Sequence, residues 1–160
     1  MTDEILANPP GRRIGHQALI LNPAGAVLLV ATTYKRGLLL PGGSAERGEL
    51  PHLAARRHVE VETGLILPLR DVLAVDYVEA SRYPEGLNFV YHGGTVTDEQ
   101  ETRVGHHLPP PDQITDLCWI GRSELGSVMA PDQHRRVEQA LTARDSGASL
   151  PMLLSGIRAA

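Results

Sequence analysis

The densest concentration of reactive side chains lies in GGSAERGELPHLAARRHVEVETGL, residues 42–65. It holds the pair Gly42–Gly43, then Glu46, Glu49, Arg57, His58 and Glu62. On a helix, positions 58, 61 and 62 share an arc of about 100°. That face carries one imidazole (His58), one apolar side chain (Val61) and one carboxylate (Glu62), while Glu60 points roughly the other way. A carboxylate beside an imidazole can hold a divalent cation or pass a proton. Hard cations prefer the oxygen donor, and an imidazole suits softer ions such as manganese or zinc.

The surrounding elements are legible from turn residues and periodicity. Ile14 to Leu21 and Ala26 to Tyr34 read as strands joined by Asn22-Pro23-Ala24-Gly25, whose residue order suits a type I turn. Leu38 to Leu40 reads as a short strand stopped by Pro41, Gly42 and Gly43. A helix is expected from Pro51 to Thr63, with Pro51 in its first turn and Gly64 just past its end. Val72 to Glu79, Leu87 to Tyr91 and Ile114 to Ile120 read as further strands. The polar, proline-containing stretch 97–113 reads as a long loop. A last helix runs from about Asp132 to Arg144, with Val137, Ala140 and Leu141 on one face. Residues 1–12 read as an unanchored lead-in, and residues 13–160 as one domain. The apolar tail LPMLLSGIRAA is expected to dock on its own domain or on a partner.

The segment resembles the Nudix box: Gly, five residues, Glu, seven residues, then Arg-Glu-aliphatic-any-Glu-Glu-any-Gly-aliphatic. With Gly43 first, Glu49, Arg57, Val59, Glu62, Gly64 and Leu65 fall in register without a gap. His58 and Val61 stand where the family has Glu. The resemblance implies an α/β (α+β) fold, an α/β/α sandwich with a mixed central sheet. It also implies a metal-dependent pyrophosphohydrolase that uses Mg2+ or Mn2+ to cleave a nucleoside diphosphate linked to another group. Under it, Glu62, Glu49 and His58 would be metal ligands, and Glu62, His58 and Arg57 the catalytic set, with Arg57 holding the loop. Gly42, Gly43, Arg36 and Tyr34 would meet substrate. The two replaced acids leave a second reading open: a catalytically impaired Nudix-like domain that binds a nucleotide or phosphorylated metabolite. The family resemblance also makes a homodimer an expectation.

Other charged residues are candidates with plain alternatives. Asp98, Glu99 or Glu101 can complete a metal site or form a solvated cluster, and Glu46 can approach the glycines. His106 and His107 are adjacent, which rarely lets both face one metal, so they read as loop residues. Lys35, Arg82 and Tyr83 can touch phosphate or stack on a base, or simply end a hairpin.

Composition excludes other classes. In 160 residues the net charge is −4, which disfavours a general grip on nucleic acid. The single cysteine, Cys118, allows neither an internal disulfide framework nor a multi-cysteine zinc site, and reads as a buried thiol. No apolar run reaches the roughly 20 residues of a membrane helix, and the N-terminus has no secretory pattern. A cytoplasmic protein with no membrane partner is the expectation.

Overall fold

The computed structural model describes residues 3–160. In chain order the elements are α1 (Asp3–Ala7), β1 (Arg13–Leu21), β2 (Val27–Thr32), β3 (Gly42–Ser44), α2 (Pro51–Thr63), β4 (Asp71–Val78) and β5 (Gly86–Thr95). There follow α3 (Asp98–His106), β6 (Ile114–Ile120), a short 3-10 turn, α4 (Leu125–Val128), α5 (Pro131–Asp145), β7 (Leu150–Pro151), β8 (Leu153–Leu154) and β9 (Ile157–Arg158).

β1 is buried on both faces, so its apolar residues run continuously rather than alternating with polar ones. Ala18 and Ile20 join the cluster under α2, with Val59, Leu65 and Tyr91. Leu19 and Leu21 join the opposite cluster, with Val90, Val137, Ala140 and Leu141 beneath α5. The period of two therefore sends neighbouring side chains into two cores, and the sheet becomes the middle layer of an α/β/α sandwich. Strand order is β6-β2-β1-β5-β4-β7, with β3 also paired to β1. β1 and β5 are parallel and the other pairs antiparallel, which makes the sheet mixed.

α2 begins on Pro51 and ends at Gly64, whose φ of 77° lets the chain leave the helix. The Asn22 side chain accepts the Ala26 amide at 2.8 Å and closes the first hairpin. The tail docks on its own domain: Leu150 pairs with Val72, Ala159 is buried, and Arg56 donates to the Ala160 carbonyl.

Three expectations fail. Leu38–Leu40 makes only a single bridge, Leu39 to Val30; the strand is Gly42–Ser44 itself, because the glycines let it lie close against β1. Residues 98–106 are helical rather than loop. Thr97 accepts the Gln100 amide while the Gln100 side chain accepts the Thr97 amide, a capping box that starts the helix. The lead-in carries a short helix, Asp3–Ala7, and Arg12 pairs with Glu85 at 2.9 Å, so it is tied at its end; residues 1 and 2 lie outside the described residues.

Candidate active site

Gly42 has φ 152° and a Cβ there would land on the His16 carbonyl oxygen, so only glycine lets β3 approach β1 this closely. Its amide donates to Glu62 Oε2 at 3.0 Å. Glu62 is 5% exposed, and its Oε1 makes no hydrogen bond among the described residues. The glycine strand thus orients the buried carboxylate of α2 and leaves one oxygen available.

His58 lies across Gly43, where a Cβ would strike its ring. Its Nδ1 is 3.8 Å from Glu62 Oε1, too long for a hydrogen bond. Its ring centroid is 4.9 Å from that of His16, which is fully buried with no partner for either nitrogen. Burial first, and then His58, lower His16 to about 4, so it is neutral near pH 7. Val61 is 46% exposed and contributes only its carbonyl, which accepts from His107 Nε2 at 2.8 Å. His107 is therefore a clasp between α3 and the end of α2, and His106 is exposed.

Glu49 is fully engaged. Arg57 donates Nε to its Oε1 at 2.8 Å and Nη2 to its Oε2 at 2.9 Å, and the Glu46 amide adds a third bond. The Arg57 hydrogen bonds, followed by the Glu46 amide, lower its carboxyl to about 2. This fork fastens the loop 44–50 onto α2 and gives both Glu49 oxygens hydrogen bonds. Glu46 itself is exposed.

Asp98, Glu99 and Glu101 lie elsewhere. Glu101 accepts from Asn22 at 2.8 Å, whereas Gly42 is paired with Gln17. Five residues of strand separate those points, about 16 Å. Among the described residues no group of three or more His, Cys, Asp or Glu is poised to hold a metal. What remains is a half-site of Glu62 Oε1 and the His58 imidazole. Magnesium commonly needs only one or two carboxylates when phosphate oxygens and water fill the other positions, so this donor set fits a cation that arrives with a diphosphate.

Beside the half-site opens a cleft of about 530 Å³. Gly42, Gly43, Tyr34, Lys35, Arg82 and Tyr83 line one part of it. Arg36 is exposed and lies outside the lining. Burial, then Glu62 and Tyr83, hold the Tyr34 phenol above its ordinary range, which puts it within electrostatic reach of both. Arg13, Lys35, Arg82 and Arg136 outnumber Glu79 and Asp132 in the lining, so the cleft is locally cationic in an acidic chain.

The far part of the cleft was missed in the sequence. Gln17, Asn88, Gln133 and Arg136 come from β1, β5 and α5 and form one buried hydrogen-bonded set. The available signal was weak: a polar residue at an inward position of two otherwise apolar strands. Cys118 is half-buried at the β2 edge, and burial pushes its thiol up. Among the described residues no helix is long and apolar enough to cross a membrane.

Known proteins agree with this architecture. A MutT protein from Methanosarcina mazei Go1 superposes with TM-score 0.67 at 20% identity, over 88% of this chain and 98% of its own. A UDP-X diphosphatase gives 0.69 at 18% identity, over 92% and 73%. The NUDIX domain of Shewanella oneidensis NrtR, crystallised with ADP ribose, gives 0.65 at 18%, over 90% and 99%. At these identities the likeness shows the fold. No curated protein sequence matches the chain. The model of the NUDIX domain matches residues 11–143, most of the chain and all of the elements that build the cleft, and the chain therefore belongs to the NUDIX family.

Proposed function

We propose that the domain hydrolyses a diphosphate linkage in a nucleoside diphosphate joined to another group, with a divalent cation that binds together with the substrate. The observation that carries this reading is the free Oε1 of the buried Glu62, fixed by the amide of Gly42, a residue that lines a cationic cleft. Glu62 and His58 would hold the magnesium or manganese ion. When bound, the ion would neutralise charge on the diphosphate and make water a stronger nucleophile. Lys35 and Arg82 supply positive charge for phosphate oxygens. The Glu49–Arg57 fork keeps the glycine loop in place; the His58 imidazole, 3.8 Å from Glu62, has one nitrogen lone pair, so it serves either as the ion's second ligand or, with Glu62 alone on the ion, as the base that takes the proton of the attacking water. Neutral His16 packs beneath that ring without adding positive charge.

A second reading has its own support. Val61 puts an exposed isopropyl group on the ligand-bearing face of α2, which favours a domain that binds a nucleotide or phosphorylated metabolite without cleaving it. The two separate in one experiment. The chain is incubated with sugar-linked and dinucleotide diphosphates plus magnesium or manganese, and products are resolved by phosphorus NMR. Metal-dependent cleavage supports the hydrolase. Binding in chelator with no product after long incubation supports the binding module and refutes the first reading.

A further inference from the structure

The floor of the cleft contains more hydrogen-bond donors than acceptors, and this imbalance has a chemical meaning. Gln17 Oε1 accepts from Asn88 Nδ2 at 3.0 Å and from Arg136 Nη1 at 3.1 Å. Gln133 Oε1 accepts from Arg136 Nη1 at 3.1 Å and from Gln17 Nε2 at 3.4 Å. Arg136 Nε donates to Asp76 at 2.7 Å. Both amide oxygens are thereby filled. The two N–H groups of Arg136 Nη2 have no partner among the described residues, and Gln17 and Asn88 each keep one unused amide N–H. The one free acceptor of the set is Asn88 Oδ1.

These side chains are buried, with Asn88 at 7% and Arg136 at 8% exposure, yet all line the cleft. The free donors border the cleft, and a ligand that displaces water from them must supply oxygens in its place. Asp76, the counter-ion of Arg136, has a side chain 42% exposed, so its field is screened and the guanidinium stays electropositive toward the cleft. Asp132 is the nearest other acid in the lining, and Gln133 Nε2 reaches it at 3.5 Å.

The geometry points to a recognition floor: we propose that Arg136, Asn88 and Gln17 select a uracil-type nucleobase, whose edge sets one ring N–H between two carbonyl oxygens, over the amino-bearing bases guanine, cytosine and adenine. This rests on the nucleoside-diphosphate reading above. The two carbonyl oxygens of uracil meet the free N–H groups, and the ring N–H between them meets Asn88 Oδ1. An exocyclic amino group instead sets N–H against N–H and leaves donors buried and unpaired. The placement agrees. Gln17 lies opposite Gly42 in the β1–β3 pairing and Asn88 sits one strand further on β5, so the floor adjoins the glycine strand. Tyr34 and Tyr83, both more than half exposed at the mouth, offer ring faces that are indifferent to base identity. Asp76 and Gln133 are positioning residues that hold the guanidinium.

The test is titration calorimetry of the full chain with UDP, GDP, CDP and ADP in the presence of chelator, so that no turnover intervenes. UDP is expected to bind at least about tenfold tighter than GDP, CDP and ADP. Arg136→Lys, which removes the Nη2 donors and keeps the charge, should shrink that ratio below about threefold. Tyr83→Ala should weaken all four and leave the ratio unchanged. Equal affinities, a preference for GDP, CDP or ADP, or an unchanged ratio in a folded Arg136→Lys protein would overturn the floor. If the lysine variant does not fold, the ratio in the natural protein decides alone. Absence of binding to all four overturns the nucleoside-diphosphate reading itself.

Discussion

Restoring the two family acids should convert the half-site into a metal site that no longer waits for substrate. The perturbation is Val61→Glu with His58→Glu. Glu62, the His58 position and the Val61 position share one face of α2, and Glu62 Oε1 is already free. A carboxylate about 4 Å from a divalent cation gains about 8 kcal/mol at an effective dielectric of about 20. Repulsion from Glu62 at about 5 Å removes about 3 kcal/mol. Desolvation of the added charge removes a further 3 kcal/mol or so, since this face is only partly open. About 2 kcal/mol remains for Val61→Glu, about 30-fold in affinity. His58→Glu exchanges an imidazole for a carboxylate and should give about half that. Together the gain is about 3 kcal/mol, or about 150-fold. Manganese binding without nucleotide, followed by calorimetry at fixed pH and ionic strength, measures it directly. A gain under about threefold, or a natural protein that already binds manganese as tightly as the variant, would refute the charge-limited description.

Four further outcomes follow from particular contacts. Gly42→Ala should cost at least about 2 kcal/mol in urea unfolding, because the Cβ meets the His16 carbonyl and forces β3 off β1; a smaller loss would contradict the close approach. Truncation after Ser149 removes the Leu150–Val72 pairing, the buried Ala159 and the Arg158–Asp71 ion pair; Tm should fall by about 3–6 °C, and an unchanged Tm would mean the tail does not dock. Burial lowers the pKa of both His52 and His92. The unfolded chain therefore binds their protons first, and stability should decline as pH falls below about 6.5, the unfolded value, until the lowered folded values are passed. His52→Gln should flatten that slope, and an identical slope would count against the burial assignment. Arg57→Gln should return the Glu49 carboxyl from about 2 toward the ordinary range in an NMR titration, and should loosen the loop without unfolding α2.

What was readable in the sequence was whatever depends on near neighbours. The limits of α2 followed from Pro51 and Gly64, and β6 from its apolar run between turn signals. α3 was hidden because it buries only Val104 and is otherwise polar, so a segment started by the Thr97–Gln100 capping box passed for a loop. β3 was misplaced because glycines normally interrupt strands, whereas here they permit one to lie close. The Nudix box set Glu49, Arg57 and Glu62 on one loop and helix, since its spacing is fixed, while the pairing of Arg57 with Glu49 came from the structure. The recognition floor had no such spacing. Gln17, Asn88 and Arg136 are brought together by the pairing of β1 with β5 and by the seat of α5, and no local pattern records that.

The measurement that bears most directly on the central claim is turnover of one cleaved nucleoside diphosphate derivative by the natural protein and by Glu62→Gln. Phosphorus NMR would follow product, and binding of the same compound would be measured in chelator. The account expects metal-dependent cleavage by the natural protein, loss of at least about a hundredfold in the variant, and nearly equal binding by both. Cleavage that survives Glu62→Gln unchanged would contradict it.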